Sequence, residues 1–179
     1  AIPQVWINEV MASNRVGSGI VDNMGEAEPW VELYNGGTNA VDLGTGTYYL
    51  SDSETNLTRW AFASGTVLSA GCWRVVWCDG ETGEGTNGYL HANFTLHATG
   101  GVVVLAREQA GQVRVVDWGA YGALDGAHSY GSYPDGQPND RRLFAYPTPG
   151  AINNPASPPV NLRINEWMEN NTQTALNPL

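Results

Sequence analysis

Eighteen carboxylates and three histidines set the chemistry open to this chain of 179 residues. Asp22, Glu26 and Glu28 crowd the stretch before Trp30, and Asp79, Glu81 and Glu84 crowd a Gly-rich stretch after Trp77. Oxygen donors at this density suit a hard cation, calcium above all. Neither stretch fits the helix-flanked calcium loop, because Met24 and Gly83 fall on ligand positions and Glu84 replaces the essential Gly. The first stretch is the better candidate, with Asp22, Glu26 and Glu28 as ligands and Asn14 and Asp52 as further donors if the fold brings them to the same end.

The other reactive types point to structure rather than chemistry. His91 and His97 on one extended strand would stand roughly 20 Å apart at about 3.3 Å per residue, beyond the reach of one ion, so His91 is expected to pack or hydrogen-bond in the core. Asp125, His128 and Ser129 are neighbours in sequence, which rarely converge as a triad, and the spacing misses the nucleophile elbow by one residue. Cys72 and Cys78 flank one strand and cannot bridge across it, so two buried free thiols are expected. Seven Trp would largely fill a core; Trp6 and Trp118 are the two candidates for an exposed ligand-binding indole.

The elements that must position these groups are strands. Val5-Trp6-Ile7, Trp30 to Tyr34, Tyr48-Tyr49-Leu50, Trp73 to Trp77, Val102 to Leu105 and Val113 to Trp118 are short β-prone runs between Gly, Asn and Asp clusters. No apolar pattern of helical period persists for three turns. An all-β sandwich or barrel follows, with hairpins and Greek-key corners expected at Asn35-Gly36-Gly37, Asp79-Gly80 and Asp135-Gly136.

Charge and hydropathy remove other classes. Eight basic residues, all Arg, against 18 acidic ones give a net charge of −10, the opposite of a nucleic-acid-binding surface. No apolar run approaches a bilayer span, so direct membrane insertion is not expected. The first residue is Ala, as at a mature end after signal cleavage or at an artificial boundary.

The chain divides near its end. Asn154 to Pro159 carries three Pro in six residues, a stiff spacer. After it, Ile164-Asn165-Glu166-Trp167-Met168 echoes Ile7-Asn8-Glu9-Val10-Met11 at an offset of 157 residues. The expected organisation is a domain over 1–153, a linker over 154–161, and over 162–179 the first strand of a truncated second copy, expected to be mobile or to dock on a neighbouring molecule.

Seven blocks in order resemble the lamin-tail domain, in the version found in large bacterial extracellular proteins. They are Ile7 to Asn14, Trp30 to Asn35, Tyr49 to Asp52 with Asn56 to Trp60, Leu90 to Phe94, Val116-Asp117, Ser129 to Gly131 with Tyr133 to Gly136, and Pro147 to Asn153. The resemblance implies an all-β, immunoglobulin-like β-sandwich with Greek-key connections, no catalysis, and an extracellular or cell-surface setting among tandem neighbouring domains. It also implies tethering or recognition of a protein or cell-envelope partner. A carbohydrate-binding module accompanying an extracellular hydrolase, holding a polysaccharide ligand, is the alternative. Ser132 stands where the family commonly has Arg, and Cys72 where it commonly has Gly.

Overall fold

The computed structural model describes residues 4–45, 47–86 and 88–158. Its strands are β1 (Val5–Met11), β2 (Trp30–Asn35), β3 (Val41–Asp42), β4 (Tyr48–Ser51), β5 (Trp60–Ala61), β6 (Val67–Leu68), β7 (Trp73–Trp77), β8 (Gly101–Gln109), β9 (Gln112–Tyr121), β10 (Ser129–Ser132) and β11 (Arg141–Phe144). A five-stranded sheet of order β11-β10-β1-β2-β7 and a four-stranded sheet of order β5-β4-β8-β9 form an immunoglobulin-like sandwich, with β3 and β6 paired beside them. All strand pairings are antiparallel. Among the described residues no helix is long and apolar enough to cross a membrane.

Inward side chains follow the strand period of two. Val31 and Leu33 of β2, Leu50 of β4, and Val103 and Leu105 of β8 meet in one buried cluster with Val5 and Ile7. On β1 the alternation is broken by design: Ile7 pairs with Leu33 while Glu9 pairs with Glu32, leaving Asn8 as an extra residue. Strict alternation from Ile7 would turn Glu9 into the core. The bulge gives that place to Val10 and turns Asn8 and Glu9 away from it.

The outward face of the five-stranded sheet is also covered, which is why β2 is buried at five of its six positions. Met11, Trp30 and Trp77 form a second apolar cluster against Ile20 of the β1–β2 loop. Further along, Trp6 and Tyr34 are cross-strand partners, as are Tyr34 and Trp73. The β10–β11 loop lies over this row: Asp135 Oδ2 accepts from Trp73 Nε1 at 3.0 Å. A Cβ on Gly136 would stand 3.1 Å from the Trp6 ring. Residues 147–153 cross the middle of the same face.

The cysteines require a correction. Cys78 is buried, but Cys72 is exposed, because it lies in the turn before β7, its N–H bonded to the Ser69 carbonyl, and not in the strand. Residues 154–158 of the expected linker form no strand, whereas its remainder and the expected second copy over 162–179 lie outside the described residues.

Candidate cation site at one end of the sandwich

Trp30 opens β2 and Trp77 closes β7, and the two are antiparallel partners. The loop that enters β2 and the loop that leaves β7 therefore emerge side by side. This pairing brings the two acidic stretches, some sixty residues apart in sequence, into one place.

Each loop is folded around a carboxylate. Asp22 Oδ1 accepts the N–H groups of Met24 and Glu26, both at 2.8 Å, closing a turn whose Gly25 has φ 87°. Asp79 Oδ1 accepts Glu81 N at 2.9 Å. A single 3-10 turn at Thr82–Glu84 follows. His91 ties the loops together. Its Nδ1 lies 2.6 Å from Asp79 Oδ2 and its Nε2 lies 2.8 Å from Asn23 Oδ1. The Asn23 Nδ2 donates to the Glu84 carbonyl at 3.2 Å, so each ring nitrogen of His91 faces an oxygen. The expected structural role of His91 is what the geometry displays.

Two groups of possible ligand atoms result. Asp22, Glu84 and His91 each offer one atom within 4.8 Å of the others, and so do Glu26, Glu81 and Glu84. Asp22 is buried, and its Oδ2 has no hydrogen-bond partner; Glu84 Oε2 is likewise buried and unpartnered. Burial and then the carboxylates of Glu81, Glu26 and Asp22 hold the Glu84 carboxyl above the usual range. Burial followed by Asp79, Glu26, Glu81 and Asp22 does the same to Glu28. Both shifts carry contributions from both loops.

Of the sequence candidates, Asp22 and Glu26 fall in different groups, and half-buried Glu28 falls in neither. Asn14 organises the β1–β2 loop through its Nδ2, which donates to the carbonyls of Ile20 and Glu28. Asp52 pairs with Arg59 at 2.8 Å. Trp118 is 54% exposed on β9 and, with Leu57, Val104, Val115 and Glu54, lines a shallow groove of about 270 Å³. Trp6 is half-buried under the β10–β11 loop.

A larger groove, about 550 Å³, runs along β7 beside the acidic end. Trp73, Val75 and Trp77 form its floor, Gly19 to Val21 and Gly88-Tyr89 are among its lining residues, and Pro149 closes it. Asp125 and His128 pair locally at 2.7 Å, while the Ser129 hydroxyl donates to Glu9, so these three do not assemble as a triad.

Sequence reasoning passed over the most buried charges. Glu9 and Glu32, both fully buried, face each other across β1 and β2. Glu9 accepts from Ser129 Oγ and from the N–H and hydroxyl of Thr148; Glu32 accepts from Asn8 Nδ2 and the Gly150 N–H. Asn153 Nδ2 donates to the carbonyls of Asn8 and Ser132. The network pins residues 148–153 across the sheet. Burial raises Glu9 to about 7 and Glu32 to about 8, against the lowering effect of these donors. The available signal was an acidic residue inside each of two apolar runs, Ile7 to Met11 and Trp30 to Tyr34.

No curated protein and no solved structure matches the chain. The model of one family, described as the Lamin Tail Domain, matches residues 1–122. That match spans β1 through β9, which hold the whole four-stranded sheet, three strands of the five-stranded one and both acidic loops, and it includes the strands that carry Glu9 and Glu32: the chain belongs to the lamin tail domain family.

Proposed function

We propose that this domain is a non-catalytic recognition and tethering module of a multidomain extracellular or cell-surface protein of bacterial type, and that the groove along β7 is its contact surface. The observation that carries the reading is the groove itself. It joins two indoles, Val75 and Ile20 to the side chains of Val21 and Tyr89, which are 46% and 48% exposed. Apolar and aromatic side chains gathered at one open surface mark interaction sites more often than scattered ones do. Family membership supports the absence of catalysis, and the net charge of −10 argues against a nucleic-acid partner.

Carbohydrate binding beside an extracellular hydrolase is the second reading, and Trp118 favours it, since a half-exposed indole in a shallow groove can stack on a sugar ring.

Co-sedimentation with insoluble polysaccharides and with protein-bearing cell-envelope preparations separates the two. The tethering reading expects retention by envelope material that Val21→Glu or Tyr89→Ala abolishes and Trp118→Ala preserves. Retention by a pure polysaccharide, lost in Trp118→Ala alone, would replace it with the carbohydrate reading.

A further inference from the structure

We propose that the β1–β2 and β7–β8 loops together form one calcium site, with Asp22 and Glu84 as its inner carboxylates and Glu26 and Glu81 supplying the outer oxygens. The observation that points to an ion is a pair of bare oxygens. Asp22 is only 7% exposed, its Oδ1 is fully engaged by two backbone N–H groups, and its Oδ2 accepts nothing. Glu84 Oε2, from the other loop, is buried and accepts nothing either. Buried anionic oxygens are normally satisfied by donors; here an oxygen of Asp22 and one of Glu84 lie within 4.8 Å of each other and of a His91 ring nitrogen, and the two bare oxygens accept from nothing, which leaves a place for positive charge.

The donor chemistry selects the class of ion. Both ring nitrogens of His91 are already engaged, at 2.6 and 2.8 Å, by Asp79 and Asn23. The remaining donors of the two groups are carboxylate oxygens, the ligands of a hard cation. Four carboxylates from two irregular loops suit the larger, geometrically tolerant calcium better than magnesium, which demands a near-ideal octahedron and keeps its waters. His91 acts as a positioning residue: by holding Asp79 on one loop and Asn23 on the other, it sets the loops in place before the ion arrives, which lowers the ordering cost of binding.

The site also touches the groove along β7. Gly19 to Val21 directly precede Asp22, and Gly88 and Tyr89 follow Glu84 by a few residues, so a shared ion would fix two parts of the groove's lining. This link rests on the recognition reading above, whereas calcium binding does not, and the two are measured separately.

The test uses the whole chain, freed of metal by chelator, titrated with calcium chloride in a calorimeter and followed by thermal melting. One calcium per chain is expected, with Tm raised by roughly 5–10 °C when calcium exceeds Kd about a hundredfold. Asp22→Asn keeps the Oδ1 that closes its turn, and Glu84→Gln keeps the side-chain length; each is expected to weaken binding at least about tenfold. Glu28→Gln, outside both groups, is expected to change affinity by less than about twofold. No heat and no melting shift would overturn the site, as would calcium binding that survives in both variants. Zinc binding more tightly than calcium, and lost in Asp22→Asn, would overturn its assignment to a hard cation.

Discussion

Asp117 and Arg141 join the two sheets. Arg141 Nη2 lies 2.6 Å from Asp117 Oδ2, and the same oxygen accepts the Ile7 N–H at 2.8 Å. Asp117 belongs to β9 of one sheet, Ile7 and Arg141 to β1 and β11 of the other. The side chains are 5% and 9% exposed, so the pair is screened little by solvent.

Removing one partner therefore leaves a buried charge and an unsatisfied backbone N–H. Asp117→Ala is expected to cost about 3–5 kcal/mol in urea unfolding, and Asp117→Asn less, because its carbonyl can still accept from Ile7.

Stability is expected to fall as pH rises. Glu9 at about 7 and Glu32 at about 8 both lie above their unfolded value of 4.5, so the folded state holds these protons more tightly than the unfolded chain does. Their contribution is complete below pH 4.5 and is lost as pH climbs through 7 and then 8. Urea midpoints across that range should decline, by on the order of a few kcal/mol in total. Glu32→Gln, which removes the higher titration, should flatten the upper part of the decline.

Native thiol labelling is expected to count one cysteine. Cys72 is exposed, whereas Cys78 is buried and its thiol is pushed well above the usual value, by burial first and then by Asp79 and Asp52. A chromogenic disulfide reagent should react promptly with one thiol per native chain and with two after denaturation.

Gly131→Ala is expected to be among the most damaging single substitutions, on the order of 3 kcal/mol or more by chevron or equilibrium unfolding. A Cβ there would stand 2.3 Å from the Asn8 carbonyl oxygen, on backbone that cannot give way while β1 and β10 stay paired.

Strands and fold class were legible because the runs that form them are rich in β-branched and aromatic residues and bounded by turn formers. Trp30 to Tyr34 and Trp73 to Trp77 are strands almost to the residue. The β8–β9 hairpin extends beyond its apolar runs because pairing with a neighbour carries Arg107, Glu108, Gln109 and Gln112 into the ladder, which composition alone does not announce. The acidic site was half legible. Asp22 and Glu26 were marked by local density, but the partnership of Asp22 with Glu84 depends on Trp30 facing Trp77, a register that the periodicity of either strand leaves open. Glu28 shows the reverse: it is near in sequence and lies outside both groups. Cys72 flanks β7 as expected, but its burial was misjudged, because a residue in the turn that precedes a strand is not held to the strand's buried face.

The bulge at Asn8 has a consequence for when this domain can exist at all. It aims Glu9 at Ser129 and Thr148, partners 120 and 139 residues away, and β1 itself lies between β2 and β10 at the heart of its sheet. The first strand of this domain to be synthesised is thus among the last to be completed. Until residues near 150 have emerged, two acidic side chains and one strand edge wait without their native partners. Contacts of such long range slow folding and prolong the exposure of sticky intermediates. A nascent chain halted at residue 122, where the family match ends, would still lack β10, β11 and every donor that the closing segment supplies.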